Sequence, residues 1–265
     1  MEIIKNLSPN SRMVDRLDDA EVVEFDARAA NIAVNGHHVS EAGSAGEEVE
    51  QLSAALLYAK RIIAFDSDSS MAHAYDALRN QLLNEPEDRD MRVISVTAPT
   101  RGCGATVTAV NLAFSFARVP GTSVLLVDAN ARRPAVGNVL GLPDEPLLDD
   151  PLGGWLTSVG LRGVDIHLLR AAWGPGKVPL AADLARMRAQ VRYARQILKP
   201  TITLLDLPPM LSSDEAVPFV DESDTIVFVL AVNRSKLSEL EICRSYLKPG
   251  KGMQVVLNKT KRHGL

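Results

Sequence analysis

The sequence predicts an α/β fold, a doubly wound and mostly parallel sheet with helices on both faces, preceded by an N-terminal arm and helix. Three observations predict it. From Met91 onward, short β-branched runs alternate with helical stretches, the texture of strand–helix–strand units. The strand candidates are almost continuously apolar, as strands covered on both faces must be. The chain has 265 residues, 46% of them hydrophobic and 23% charged, enough for a substantial core at a prior of ~150 residues per domain.

Taken in order, residues 1–46 read as a mobile arm with scattered apolar positions and one extended piece at 21–25. Its His37–His38 doublet has no acidic or cysteine partner at ligand spacing and reads as loop. A segment of N-terminal helices spans 47–90. In 47–65, Val49, Leu52, Leu56 and Ile63 approach a 3.6-residue period, which predicts one helix. Residues 66–70 offer N-cap side chains for a second, at 71–83, and Glu85-Pro86-Glu87-Asp88 ends it. The α/β domain then runs from 91 to 265. Its predicted strands are 93–97, 123–127, 164–169, 201–205, 224–232 and 254–257, and its helices 107–118, 181–198, 213–220 and 235–247.

Charge and composition narrow the function. Lys+Arg 29 against Asp+Glu 33 leaves a net charge of −4, which argues against a nucleic-acid partner or a polybasic membrane anchor. The longest apolar run, 226–232, falls far short of the ~20 residues needed to cross a bilayer, so no transmembrane segment is expected. Residues 1–10 carry no secretory pattern, and Cys103 and Cys243 make no disulfide or metal framework. A cytoplasmic setting is the expectation.

In open parallel sheets, ligands sit beyond the carboxyl ends of the strands. After the first core strand comes Ala98-Pro99-Thr100-Arg101-Gly102-Cys103-Gly104-Ala105-Thr106, with a helix opening directly behind it. A strand, a glycine loop and a helix N-terminus make a phosphate cradle. A complete P-loop would end Gly-Lys-[Ser/Thr]. Here alanine stands at the lysine position.

Several segments together resemble the bacterial tyrosine autokinases of capsule and exopolysaccharide synthesis, P-loop proteins related to the MinD/ParA ATPases. The glycine loop is one. The most specific is Val124-Leu125-Leu126-Val127-Asp128-Ala129-Asn130-Ala131-Arg132-Arg133-Pro134, similar to the family's Val-Leu-Leu-Ile-Asp-Ala-Asp-x-Arg-Arg-Pro. Leu204-Leu205-Asp206-Leu207-Pro208-Pro209 resembles its Asp-Thr-Pro-Pro strand end, and Val255-Val256-Leu257-Asn258-Lys259 its Val-Leu-Asn-Arg adenine edge. Upstream, 73–82 resembles the helix that docks neighbouring subunits.

The resemblance implies ATP or ADP with Mg²⁺ as cofactors. Nucleotide would lie on Gly102, Cys103, Gly104, Ala105, Thr106 and Val107, with Asn258 at the adenine. Metal would lie near Thr106, Asp128 and Asp206, with Asp128 also placed to accept the tyrosine proton. His73, Asp76 and Arg79 would face a neighbouring subunit. The expected partners are a separate membrane adaptor or chain-length protein and an active kinase relative, met at the inner face of the membrane.

Four departures point to a degenerate member. Ala105 replaces the loop lysine, and Asn130 the second aspartate of its motif. His73 and Asp76 replace the Glu and first Arg of the docking helix. The tail from Lys259 to Leu265 holds no tyrosine, where the family carries its autophosphorylated cluster. The expected function is an accessory protein of exopolysaccharide biosynthesis and export, with ATP use weak or lost. One alternative is an active autokinase or ATPase with Arg101 standing in for the lysine. Another is a MinD/ParA-like positioning ATPase.

Overall fold

The computed structural model describes residues 2–4, 49–84, 91–143, 156–170 and 178–259. The extended piece at 21–25, the His37–His38 doublet and the tail beyond Lys259 lie outside the described residues. Residues 2–4 and those from Val49 onward fall in one compact unit.

The described strands form one nine-stranded sheet. In chain order they are β1 (Glu2–Ile4), β2 (Glu50–Gln51), β3 (Arg92–Thr97), β4 (Val124–Asp128), β5 (Leu156–Leu161), β6 (Val164–Arg170), β7 (Ile202–Asp206), β8 (Thr225–Ala231) and β9 (Gly252–Asn258). Their spatial order is β1-β9-β8-β3-β7-β4-β6-β5-β2. The six strands from β9 to β6 run parallel. β1 closes one edge antiparallel to β9; toward the other, β5 turns back antiparallel to β6 and β2 lies outermost. The chain moves outward from β3 in both directions, so the carboxyl ends of β3, β4 and β7 meet where the order reverses, the usual ligand position of such sheets.

The helices are α1 (Ala54–Ala59), α2 (His73–Leu83), α3 (Ala105–Ala117), α4 (Val136–Leu140), α5 (Ala181–Leu198), α6 (Val217–Glu222) and α7 (Leu237–Ser245). Strand side chains alternate between two apolar layers. On β8, Val227 and Val229 join the layer with α3, while Ile226, Phe228 and Leu230 join the layer with Met187 and Val191 of α5. Two covered faces explain why the strands read as unbroken apolar runs. Helix α3 lies deepest, with Thr108 to Phe116 all buried.

The helix expected over 47–65 is not continuous. Residues 50–51 instead add a short parallel strand to β5, and α1 covers only 54–59. Arg61 takes a left-handed φ of 64°, which ends the helix. Ile62 to Phe65 then lie buried against α3. Asn111 of α3 secures them, accepting the N–H groups of Ile63 (2.8 Å) and Ala64 (3.0 Å) on Oδ1 and donating to the Arg61 carbonyl (3.0 Å). A helical course would remove those backbone groups and leave the buried Asn111 Oδ1 without its two donors. The next helix begins at His73 with Ala72 as its uncapped N-cap; the expected cap at 66–70 instead closes its own turn, the Asp66 carboxylate accepting from Asp68 N–H at 3.0 Å.

The three residues expected on the subunit-docking face of α2 are placed differently from one another. His73 is exposed. Asp76 and Arg79, however, are turned into the chain, with side chains 20% and 14% exposed. Arg79 donates to Asp76 at 3.1 Å and to the Ser115 carbonyl at 2.8 Å. Ser115 Oγ donates to Asp76 at 2.6 Å, and Arg118 pairs with the same carboxylate. Burial alone would raise the Asp76 pKa, but Ser115 and Arg118 hold it below its ordinary value. Aspartate at 76 thus binds α2 to α3. Asp76→Arg, which restores the family's charge there, is expected to destabilise the protein by about 2–4 kcal/mol in urea unfolding, since it leaves Arg79 and Arg118 facing a third cation.

Candidate nucleotide-phosphate site

The site forms at the reversal point from three strand ends. Strand β3 leads into the glycine loop, which opens α3. Gly104 is the N-cap of α3 with a φ of 99°, and no side chain caps the helix. Gly102 has a φ of 78°. Such angles suit residues without a Cβ. The first-turn N–H groups of α3 are left to an anion, which the helix dipole also favours.

The second wall is the segment after β7. Its backbone is stitched to the segment after β3: Leu207 N–H donates to the Val96 carbonyl (3.0 Å), Met210 to Ala98 (3.0 Å) and Leu211 to Pro99 (3.1 Å). Thr97 Oγ1 donates to the Pro208 carbonyl at 2.8 Å. Between the walls lies a cleft of about 280 Å³. Its lining runs from Gly102 through Val107 and includes Arg101, Asn130, Arg132, Arg133, Pro208, Pro209 and Ser213.

Close to the cleft, at the ends of adjacent parallel strands, Asp128 and Asp206 stand directly opposite each other; both are fully buried, and neither is among the residues that line the cleft. Asp128 Oδ2 accepts the N–H groups of Ala135 (2.8 Å) and Val136 (2.9 Å), so it also fixes the start of α4. Burial still pushes its pKa up to about 6. Neither oxygen of Asp206 makes a hydrogen bond of normal geometry, although the Thr106 hydroxyl lies near enough to act on it. Burial, then the Asp128 charge, push Asp206 well above the usual carboxylate range, against a smaller opposing pull from the Thr106 hydroxyl. A buried carboxylate so weakly partnered is costly unless something completes it.

The expected residues therefore converge in part. The loop residues 102–107 line the cleft, while Asp128 and Asp206 lie buried at the strand ends next to it. Ala105 sits in its wall without charge. Arg101 lines the same cleft and is exposed, while Arg132 pairs with the buried Glu215. Asn258 reaches the loop directly, its Nδ2 donating to the Cys103 carbonyl at 2.9 Å. Among the described residues, no group of three or more His, Cys, Asp or Glu side chains is arranged to hold a metal. The sequence reading gave no role to Arg234, Ser235 or Lys259. The available signal was position, since all three follow directly on the carboxyl ends of β8 and β9.

No family model matches the chain. Its curated relatives include the tyrosine-protein kinase YwqD of Bacillus subtilis (strain 168), 26% identical over 207 residues, covering 71% of this chain and 83% of that protein. The putative tyrosine-protein kinase AmsA of Erwinia amylovora is 26% identical over 189 residues; 69% of this chain is covered but only 25% of AmsA. The chain is a relative of the bacterial tyrosine-protein kinases. Solved structures support the fold: the chimerical protein CapA2B2 superposes with a TM-score of 0.64 at 21% identity, covering 81% of this chain and 94% of that one. The kinase domain of Escherichia coli tyrosine kinase ETK gives 0.61 at 21% identity, covering 77% and 83%. Both confirm the expected P-loop-type α/β architecture. Among the described residues, no helix is long and apolar enough to cross a membrane.

Proposed function

We propose that this chain is an accessory protein of exopolysaccharide biosynthesis and export, built on a tyrosine-kinase fold and acting at the inner face of the membrane with weak or lost ATP use. The observation that carries the reading is a cleft complete in shape and short of charge. The glycine cradle and Thr106 line one cleft, with Asp128 and Asp206 paired on the adjoining strand ends, while position 105 offers a methyl group where the charge on the phosphates should be met.

ATP or ADP with Mg²⁺ fits this cleft in part. The buried Asp206 carboxylate and the Thr106 hydroxyl are suitable for a hydrated divalent cation, and the uncapped start of α3 for phosphate oxygens. A bound nucleotide would supply the phosphoryl group, and Asp128 is the base for an incoming hydroxyl proton. Without a cation at 105, charge developing on a transferred phosphoryl group meets one stabilising partner fewer. A role through partners, an active kinase relative and a membrane adaptor or chain-length protein, follows from that loss. A second reading, an active kinase using Arg101, is favoured by the place of Arg101 in the cleft wall.

Complementation separates the two. In a strain lacking the chain, polysaccharide output should fall, and Asp128→Asn should restore it as fully as the unmodified chain. Failure of Asp128→Asn, expressed at an equal level, would favour the active kinase.

A further inference from the structure

Two turns grip the glycine loop from outside the cleft. The first follows β9. Asn258 spends one side of its amide on the loop, Nδ2 to the Cys103 carbonyl at 2.9 Å, and the other on its neighbour, Oδ1 accepting the Lys259 N–H at 2.8 Å. Lys259 takes a left-handed φ of 59°, an uncommon conformation for a residue with a side chain. Its Nζ donates to the Gly102 carbonyl at 2.8 Å.

The second turn follows β8. The Ser235 hydroxyl lies 3.3 Å from the Cys103 thiol and accepts the Ala231 N–H at 3.0 Å. The Arg234 guanidinium covers Gly102 so closely that a Cβ there would stand 2.8 Å from Cζ, and a Cβ on Gly104 would collide with Asn258 Nδ2. Loop residues 102, 103 and 104 are thus each touched by a polar side chain from these turns. Among the described residues, none of the four gripping side chains lines the cleft.

A cradle binds an anion well only if its N–H groups are already aimed. Two glycines at positive φ make this loop free to wander when unfolded or opened. A loop with its own lysine gains order from the lysine–phosphate contact, which Ala105 cannot make. We propose that Asn258 and Lys259 form a clasp that pre-organises the 102–104 backbone for the phosphates of a nucleoside diphosphate. Lys259 is a positioning residue, acting through the Gly102 carbonyl rather than on the ligand. The nucleotide part of this inference rests on the reading of the cleft given above; the clasp itself does not.

Two measurements on the full chain test it. The first is amide hydrogen exchange of residues 100–107 in the ligand-free protein, for the unmodified chain, Lys259→Met and Lys259→Arg. The second is titration of the same three proteins, each also carrying Ala105→Lys, with Mg·ADP. Loss of one hydrogen bond from a charged donor corresponds to about tenfold. Lys259→Met should therefore speed loop exchange by about tenfold, leave β8 amides unchanged, and weaken Mg·ADP by a similar factor. Lys259→Arg should restore most of both. Loop exchange that does not change, or that rises equally in β8, overturns the clasp. Loop exchange that responds while no variant binds Mg·ADP upholds the clasp and overturns the nucleotide reading instead.

Discussion

Ala105→Lys raises the affinity for Mg·ADP by about 10- to 150-fold in an isothermal titration. A hydrogen bond to a charged group contributes roughly 1.5–3 kcal/mol, and ~1.4 kcal/mol is tenfold. The gain requires that everything else be in place, and the geometry says that it is. The cradle glycines hold their positive φ angles, α3 presents uncapped N–H groups, and the loop is fixed from behind by Asn258 and Lys259. Position 105 itself lines the cleft, so a lysine there starts from the correct wall. An unchanged affinity would mean that the cleft does not take phosphate, and the functional reading would fall with it.

The second large effect is on stability. In the ligand-free protein, the thermal midpoint falls between pH 4 and pH 8, by about 6–12 °C from Asp128 and further from Asp206, and Asp206→Asn makes the fall smaller. Asp128 is pushed up to about 6 and Asp206 well above the usual range, in both cases chiefly by burial. A carboxyl whose folded pKa lies above its unfolded value near 4 holds its proton more tightly when folded. The stability it contributes is therefore fully present below the unfolded pKa and lost as pH rises through the folded one. A rise of about 2 units corresponds to ~3 kcal/mol, and each kcal/mol to about 2–4 °C in a protein of this size. The two groups titrate as a pair, with the Asp128 charge raising Asp206, so Asp206→Asn removes the Asp206 share of the fall and leaves the share that burial imposes on Asp128. Scanning calorimetry of both proteins across this range checks it; parallel pH profiles would show that the pair is already compensated inside the fold.

Much of the fold was legible because both faces of the sheet are covered. β4 and β8 are apolar at every position but their polar ends, a pattern that few other structures produce. Helix α5 was read at its observed bounds, 181–198. The segment before Phe65 was misread for a physical reason. Ile62 and Ile63 are apolar because they lie buried in an irregular segment that Asn111 of α3 ties down, and short apolar runs look alike in helix and in buried irregular chain. Strands β1 and β2 escaped notice since their identity depends on partners far away in sequence, such as Ile3 opposite Val256, and β5, the first arm of a hairpin with β6, was passed over as well.

The site was legible to a similar depth. Asp128, Asp206 and the loop could be placed because each follows a core strand, and the sheet order brings those strands together. Asp76 shows the limit. Its charge was visible, but the sequence could not say whether it faced a neighbouring subunit or Ser115 and Arg118 of its own chain. Lys259 was equally visible and equally silent, because its role depends on a left-handed backbone turn that returns it to a loop 157 residues earlier.

The central claim is that the chain keeps the kinase cleft and has lost the charge that makes it work. Transfer of label from γ-labelled ATP to the purified protein, with release of inorganic phosphate followed in the same reaction, tests it most directly. The account predicts both at background, for the unmodified chain and for Asp128→Ala alike. Robust transfer or hydrolysis by the unmodified chain, abolished in Asp128→Ala, would contradict it.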